Sequence, residues 1–401
     1  MGSTITIQVG GAGNRIGLAF WTQLFAEHGL SGSGQQGSNA ASDGETFFSK
    51  VGSNRYAPRA ILVDGDPATQ SELAASAIAS SLRADNYCIG TAGYNSNYAK
   101  GRYTSDLLPA VVAAVQREVG RVDGRADFVV IHALGCGAGS GLGSKILAQL
   151  RQDHPDACIT SFAVLSDRND TNILRPYNQV LALRQLRASA DLVVLLDNTS
   201  LGAAVTAKLN RANPTLAERN PLAGRALALL TAPLRRPKLR GVDWLELART
   251  LTPRKGTPFV GLAVEGWDSP ASNDAYANLE VSHNRLGGWE AGNAQILSAA
   301  FVVPSGRTLS ARQVRTSGLG FPTWYPAAPL VMETDSTDPS VLMVESSTGI
   351  ATRLGSLAAV YNQLIARKAY FSSYTYYGME EAEFTLAGTQ LAAAIDEYGK
   401  V

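Results

Sequence analysis

Cysteine and histidine are scarce in this chain, and neither is arranged as a metal site. The 401 residues include only three cysteines, Cys88, Cys136 and Cys158, and four histidines. None of them stands at the paired spacing of a zinc motif, and an odd number of cysteines gives no disulfide framework. We therefore interpret the cysteines as small buried residues of a protein that works in a reducing compartment.

An excess of charge and a long apolar run are also missing. The formal net charge of +1 argues against bulk attraction to nucleic acid or to an anionic membrane surface. No apolar run approaches the roughly 20 residues that span a bilayer. The first residues, "MGSTITIQVGG", lack the basic flank and apolar core of a secretion signal. These absences predict a cytoplasmic protein of two or three domains, with neither nucleic acid nor membrane as a partner.

Glycine, in contrast, is plentiful and collects at the ends of predicted strands. "STITIQVGG" alternates apolar and polar residues and then reaches glycines, as a strand entering a tight turn does. Further β-rich runs, each followed by a helical pattern, predict a mostly parallel sheet with helices on both faces. Ligands of such sheets bind outside the carboxyl ends of the strands. Glycine-rich or acidic segments fall at four such ends, residues 10–13, 64–66, 135–141 and 197–198.

Residues 135–141, "GCGAGSG", predict either a phosphate-binding loop or a tightly packed turn. A P-loop requires GxxxxGK[ST], which "GCGAGSGLGSK" does not satisfy. A dinucleotide-binding domain requires GxGxxG after the first strand, and "GGAGNRIG" lacks the third glycine. A Rossmann-type oxidoreductase is therefore the weaker reading, and a third class of nucleotide binder has to be considered.

Several motifs, in collinear order, resemble those of tubulins. "GCGAGSG" is similar to the GGGTGSG signature of tubulin and FtsZ, and the segment from Arg367 to Tyr398 resembles the paired C-terminal helices that tubulins have and FtsZ proteins lack. Local details such as "FFSK" lean toward bacterial tubulins. The other segments that resemble tubulin's nucleotide loops and its sugar-side and base-side segments are "IQVGGAGNRIGLAFW", "PRAILVDGDP", "GYNSNYAKGRYT", "RPYN" and "LDN". On these motifs the chain is identified as a member of the tubulin/FtsZ superfamily.

The resemblance implies a tubulin-like α/β fold. Its parts would be an N-terminal GTPase domain built on a doubly wound, mostly parallel sheet, a central helix, a second α/β domain with the activating segment, and two C-terminal helices. The implied boundaries are residues 1–210, 211–240, 241–348 and 349–401. The apolar periodicity predicts helices over 14–28, 220–236, 349–374 and 379–398, and the polar stretches 31–45 and 267–293 are expected to be surface loops.

The resemblance also implies GTP or GDP as the ligand, together with Mg²⁺. Backbone amides of small residues would hold the phosphates, and Asp66 matches an acid that lies near the magnesium ion. Asn198 and Asn220 match the asparagines that read guanine, because an amide both donates and accepts hydrogen bonds. The implied nucleotide-binding residues are Gly10, Gly11, Ala12, Gly13, Asn14, Arg15, Asp66, Gly93, Tyr94, Asn95, Ser96, Gly137, Ala138, Gly139, Ser140, Gly141, Arg175, Asn198, Leu216 and Asn220.

The segment "RGVDWLELARTL" resembles the loop with which the next tubulin subunit completes GTP hydrolysis. Asp243 and Glu246 stand three apart, so on a helix both carboxylates would share one face and reach one water. Glu246 is the catalytic candidate that orients this water, with Asp243 assisting; an ordinary amphipathic surface helix is the alternative. The implied protein is a cytoskeletal GTPase that polymerises head to tail, with copies of itself or with a second tubulin-like subunit.

The motifs also depart from the tubulin pattern. The loss of one neutral hydrogen bond costs roughly 0.5–1.5 kcal/mol, so no single departure abolishes binding. Together they favour a second hypothesis, a divergent tubulin-like protein that binds nucleotide with little or no hydrolysis. Residues 262–293 do not resemble tubulin's lateral-contact segment, which favours protofilaments over closure into a tube. The departures are at Gly11, Arg15, Tyr94 with Asn95, Ala138, Arg175, Leu216 and Gly241.

Overall fold

The structure is a computed structural model, and the part of the chain that it describes has several gaps. It covers residues 2–37, 44–210, 212–237, 241–254, 256–266, 285–289, 294–305, 321–322, 329–336 and 338–400. Most of the loop predicted at 267–293 lies outside the described residues, and so do residues 38–43 of the loop predicted at 31–45.

Strands and helices alternate through the first half of the chain, as the sequence predicts. The strands are β1 (Ser3–Val9), β2 (Phe48–Lys50), β3 (Tyr56–Pro58), β4 (Ala60–Asp64), β5 (Tyr87–Ile89), β6 (Ala126–Ala133), β7 (Ile159–Leu165), β8 (Leu192–Asp197), β9 (Phe259–Glu265), β10 (Ile296–Pro304), β11 (Leu330–Thr334) and β12 (Val341–Ser347). The helices are α1 (Gly10–Glu27), α2 (Ala68–Ala74), α3 (Tyr98–Tyr103), α4 (Leu108–Val119), α5 (Gly143–Asp153), α6 (Arg175–Ser189), α7 (Asn198–Leu209), α8 (Leu216–Arg235), α9 (Trp244–Leu251), α10 (Gly349–Ala366), α11 (Phe371–Thr375) and α12 (Glu381–Gly399).

Ten of these strands form one sheet in the order β11-β10-β12-β9-β8-β7-β6-β1-β4-β5, while β2 and β3 form a separate antiparallel pair. The seven strands from β9 to β5 are parallel, and β12 runs antiparallel to both of its neighbours. From β1 the chain moves outward through β4 and β5, then returns to β6 and continues in the opposite direction. The gap between the ends of β1 and β6 is therefore a topological switch point, where ligands of doubly wound sheets bind. The predicted α/β class is confirmed.

The sheet is covered on both faces, which explains why its strands read as near-continuous apolar runs. Along β6, Phe128 and Val130 belong to one core with α4, α5, α6 and the C-terminal helices. Val129 and Ile131 belong to the other core, with α1, α7, α8 and α9. Among the described helices, none is long and apolar enough to cross a membrane.

Three of the four predicted helices differ from the observed ones by four residues or more. The helix predicted over 220–236 is α8, which begins four residues earlier, at Leu216. The helix predicted over 349–374 is divided, because Lys368 and Tyr370 adopt left-handed backbone angles between α10 and α11. Helix α1 begins at Gly10, four residues before the predicted start, directly after β1. The periodicity of apolar side chains cannot reveal these changes, because each depends on backbone geometry at a helix end.

Candidate functional site

Two glycine-rich loops meet at the switch point. Gly10 follows β1 with a φ of +77°, a conformation that favours glycine. A Cβ on Gly10 would lie 3.1 Å from Ala138 Cβ and 3.4 Å from the amide nitrogen of Gly139, both in the loop after β6. The small residues therefore allow the two backbones to touch. The junction is formed by the start of α1 and by a short π-helix, Ala138–Leu142, which leads directly into α5.

A cleft of about 260 Å³ opens beside the junction. Seven of the residues predicted to bind nucleotide line it, namely Gly11, Ala12, Arg15, Arg175, Asn198, Leu216 and Asn220. Six further residues line the cleft. Gly135 and Cys136 belong to the predicted segment 135–141 without having been singled out as ligands, and the sequence analysis missed Ile16, Ala133, Val164 and Ser166. Position at a strand's carboxyl end was an available signal for several of these, since Ala133 ends β6 and Ser166 follows β7.

A buried histidine on β6 forms a hydrogen bond to the glycine-rich segment that follows this strand. His132 Nδ1 lies 2.6 Å from the carbonyl oxygen of Gly139, and its Nε2 lies 2.8 Å from Ser161 Oγ. Burial lowers the pKa of His132 to about 4, so the ring is neutral at neutral pH. The carbonyl oxygen can only accept, which places the proton on Nδ1 and makes the Ser161 hydroxyl the donor to Nε2. The predicted residues Gly137 to Gly141 thus form the cap and most of the π-helix, and His132 fixes the orientation of that helix.

Cys136 contacts the backbone amide of Gly139 in the same segment. The amide nitrogen of Gly139 donates to Cys136 Sγ at 3.3 Å. Burial raises the pKa of the Cys136 thiol, so the sulfur is a neutral and weak acceptor. Ser140, one of the predicted residues, directs its hydroxyl to the carbonyl oxygen of Cys136 and is fully buried.

The predicted residues 93–96 lie next to this loop but do not line the cleft. Tyr94 is 8% exposed and its hydroxyl pairs with Ser105 Oγ at 2.8 Å, so its ring fills space inside the protein. Asn95 and Ser96 both adopt positive φ angles, which makes a sharp turn. A Cβ on Gly137 would lie 2.6 Å from the carbonyl oxygen of Tyr94, so the two loops are in contact.

The acids after β4 divide into a buried and an exposed carboxylate. Asp64 is buried, and its two oxygens accept from the Asp66 amide at 3.2 Å and from Thr69 Oγ1 at 2.6 Å. Desolvation raises the pKa of Asp64. Asp66 is exposed, with one oxygen accepting from the Ala68 amide at 3.0 Å. Asp66 is not among the residues that line the cleft, but its carboxylate oxygens are of the ligand type that Mg²⁺ prefers, so its role as a magnesium ligand stays a prediction.

Asn14 and Gly13 have structural contacts at the start of α1. Asn14 Nδ2 donates to the carbonyl oxygens of Gly10 and Val63, which ties the first glycine turn to β4. A Cβ on Gly13 would lie 2.2 Å from the carbonyl oxygen of Ile131 on β6. These two predicted residues therefore hold the turn in place and do not line the cleft.

The far end of the cleft is formed by two helices. Asn198 is the first residue of α7, and its carbonyl oxygen accepts from Arg219 Nη1 at 3.2 Å. Leu216 and Asn220 are one turn apart on α8 and share the face that lines the cleft. Leu216 is 51% exposed, so a planar ligand can lie against it.

Two arginines supply the only charge among the thirteen residues that line the cleft. Arg15 pairs with Glu72 on α2 through Nε and Nη2, at 2.9 and 2.6 Å. The hydrogen bond to Glu72 raises the pKa of Arg15. Arg175 Nε lies 2.9 Å from Asp170 Oδ1, and Arg175 Nη1 donates to Ser166 Oγ at 3.4 Å.

Asp243 and Glu246 lie beside the amino ends of the central strands, on the side of the sheet away from the cleft. Trp244 Nε1 donates to Thr4 Oγ1 at 3.0 Å, so α9 begins beside the start of β1. Arg125, just before β6, lies 3.7 Å from Asp243 Oδ2. β1 has seven residues at about 3.3 Å each, which places the two acids about 20 Å from the glycine loops of the same chain.

The relation between these two acids differs from the one that the sequence suggests. Asp243 precedes α9 in an extended conformation and caps it, because its Oδ1 accepts from the Glu246 amide at 2.8 Å. The two residues are therefore not two positions on one helix face. Asp243 is exposed and Glu246 is half-buried in the first turn of α9.

Comparisons with known proteins agree with this architecture. A family model described as Tubulin/FtsZ family, GTPase domain, matches residues 3–206. The chain is 29% identical to the tubulin beta-1 chain of Colletotrichum graminicola, an alignment that covers 99% of this chain and 94% of that protein. It is 28% identical to the tubulin beta chain of Aspergillus fumigatus with the same coverage. It is also 28% identical to the nucleomorph tubulin beta chain of Guillardia theta, over 99% of this chain and 96% of that protein.

Proposed function

This chain belongs to the tubulin/FtsZ family of GTPases, and from that premise we propose that it binds GTP in the cleft at the switch point and polymerises head to tail. The observation that carries the proposal is that the cleft and the two acids of α9 lie at opposite ends of the same strands. The cleft lies at the carboxyl ends of β1 and β6, and the acids of α9 lie beside the amino ends of the same strands. One copy cannot bring them together, whereas two stacked copies can.

The residues of the cleft have complementary roles in this proposal. Amides of the two glycine-rich segments, at the start of α1 and at the start of the π-helix that leads into α5, bind the phosphates. Asn198 and Asn220 pair with the guanine edge, and Leu216 packs against its ring. Asp66 would hold Mg²⁺, which would supply positive charge to neutralise the phosphates.

Hydrolysis is completed by the neighbouring copy. Glu246 of that copy orients the attacking water at the γ-phosphate, and Asp243 acts as the cap that fixes the first turn of α9. A contact of this kind is heterologous and does not close, so it produces a filament. The neighbour is a second copy of this chain or another tubulin-like subunit.

The proposal also includes the domain boundaries of the chain and the cellular compartment of the protein. Residues 1–210 form the GTPase domain, 211–240 the central helix region, 241–348 the activating domain and 349–401 the C-terminal helices. We place the protein in the cytoplasm. Protofilaments are the proposed assembly, since residues 262–293 lack a resemblance to the lateral-contact segment.

Sedimentation and electron microscopy of the purified protein with GTP, GDP or ATP test the proposal, with phosphate release followed in the same samples. We expect GTP-dependent pelleting and phosphate release that rises with polymer mass. Absence of both at high protein concentration would contradict the proposed function.

The variant Glu246→Gln tests the role of the carboxylate. It should still form filaments, while phosphate release falls by at least about 100-fold, the usual contribution of a positioned acid or base. Arg249→Gln is the matched control, because Arg249 is exposed on the same helix, and it should release phosphate at the unaltered rate. Unchanged release by Glu246→Gln would show that the carboxylate has another role.

A second candidate is a nucleotide-binding structural protein with little hydrolysis. It is favoured by Ala138, which is nearly buried against the Gly10 turn and brings no hydroxyl to the phosphate loop. Tight nucleotide binding and filaments without phosphate release would support this candidate over the first.

A further inference from the structure

Arg15 and Arg175 each lie beside a different glycine-rich segment and beside a carboxylate that does not line the cleft. Glu72 accepts two hydrogen bonds from Arg15, whereas Asp170 lies 2.9 Å from Arg175 Nε as an ion pair without a hydrogen bond. The thirteen lining residues include no acid, so the lining carries a formal charge of +2. A lining with this charge suits an anionic ligand.

Arg15 lies over the first glycine turn. Its Nε and Nη2 face Glu72, while Nη1 lies 3.4 Å from the position that a Cβ on Gly11 would take. One edge of the guanidinium is therefore occupied by the carboxylate, and the remaining nitrogen is directed back over the turn. Both side chains of the pair are about half exposed, so exchanging Glu72 for another anion requires no buried rearrangement.

Arg175 lies over the second glycine loop. A Cβ on Gly135 would lie 3.4 Å from Arg175 Cδ, so the side-chain stem crosses the start of that loop. Its Nε faces Asp170 and its Nη1 reaches Ser166, which itself lines the cleft. The Arg175 side chain is one-third exposed and lines the cleft, although its Nε is buried.

We propose that Arg15 and Arg175 bind the phosphates of a nucleoside di- or triphosphate, and that Glu72 and Asp170 compete with the nucleotide for these guanidiniums. The inference rests on the proposed nucleotide site and adds to it the source of the counter-charge. A guanidinium pairs with a phosphate through two parallel hydrogen bonds, as it does with a carboxylate, so one anion can replace the other. Nucleotide binding then exchanges two internal ion pairs for two phosphate contacts.

The exchange has two consequences. Glu72 lies on α2 and Asp170 on the segment between β7 and α6, so both segments lose a tether when nucleotide binds. In addition, the protein supplies two positive charges at the phosphates, so a substantial part of the affinity persists without a divalent cation.

Calorimetric titration of the purified protein with GDP, in excess EDTA and again with Mg²⁺, tests the inference. In EDTA, Arg15→Gln and Arg175→Gln should each weaken binding by about tenfold, the loss of a charge-assisted hydrogen bond. Glu72→Gln and Asp170→Asn should strengthen it, by up to about fivefold, because each frees a guanidinium.

Glu381→Gln is the matched control for the acid variants. Glu381 forms an exposed pair with Lys368 at 2.6 Å, far along the chain in the C-terminal helices, and its loss changes the net charge equally. Its GDP affinity should equal that of the unaltered protein.

Three results would overturn the inference. Unchanged GDP affinity in both arginine variants would show that the guanidiniums do not contact the phosphates. Weaker binding by Glu72→Gln and Asp170→Asn would show that the acids position the arginines and do not compete. Failure of the unaltered protein to bind GDP or GTP in either buffer would contradict the proposed function itself, a result distinct from the first two.

Discussion

Substitution of His132 should affect both the stability of the protein and the shape of the loop after β6. The ring is fully buried, donates to the carbonyl oxygen of Gly139 and accepts from Ser161. His132→Leu leaves both partners buried and unpaired, at about 1–3 kcal/mol each. We therefore expect the free energy of unfolding to fall by about 4 kcal/mol. His132→Asn keeps a donor near the Nδ1 position and should lose about half as much.

The same histidine makes stability depend on pH. Burial lowers the pKa of His132 from 6.5 to about 4, so below pH 6.5 the unfolded chain binds a proton that the folded protein does not. The stabilisation is complete above pH 6.5 and is lost as the pH falls toward 4. Between about pH 7 and pH 5 the loss amounts to about 2 kcal/mol.

Urea unfolding at several pH values measures this effect by comparison of His132→Asn with the unaltered protein. The variant should be less stable at pH 7, and its stability should decline less steeply between pH 6.5 and 5. GDP titration provides a second readout, because the Asn variant should bind nearly as the unaltered protein while the Leu variant binds more weakly. Identical pH dependence in the variant and the unaltered protein would refute the titration, and full affinity in His132→Leu would refute the anchoring role.

Further substitutions test other contacts. Arg235→Met leaves the fully buried Glu27 without its partner at 2.6 Å and should cost about 3–5 kcal/mol in urea unfolding, whereas a double variant that also carries Glu27→Leu should recover most of this loss. Asp243→Ala removes the cap of α9 and should lower the free energy of unfolding by about 1 kcal/mol, with Asp243→Asn close to the unaltered value. Ala138→Thr should strengthen GTP binding by up to about tenfold if the loop has room for the hydroxyl, and calorimetry that shows weaker binding would indicate a clash with the Gly10 turn.

The sequence predicts the strands of this fold well for two reasons. Side chains alternate between the two faces of a strand, and glycine permits the tight turn that follows a strand end. β1 was expected to end in the glycines that it does reach, and the end of α8 was predicted to within one residue, although its start was predicted four residues too late. The break at Lys368 and Tyr370 could not be foreseen, since neither residue type favours a left-handed backbone. The order of the strands in the sheet is likewise invisible in a pattern of single segments.

The residues of the candidate site were predictable to the extent that they belong to recognisable motifs. Arg15 and Arg175 were predicted to bind nucleotide although both depart from the family pattern, whereas their carboxylate partners, Glu72 and Asp170, were not identified. Ion pairs between distant segments depend on the packing of those segments, which local sequence does not encode. The extended backbone of Asp243 was also missed, although Asp is a preferred capping residue directly before an apolar helix.

The hydrogen bond between Trp244 and Thr4 has a consequence for any filament that forms by the proposed contact. It fixes α9 beside the amino end of β1, and the first glycine turn follows the carboxyl end of the same strand. A stack of such subunits is polar, because one terminal subunit presents an uncovered cleft and the other presents an unused α9. A nucleotide in the uncovered cleft has no neighbour to complete its hydrolysis. Bound GTP would therefore be converted to GDP at different rates at the two ends of the filament.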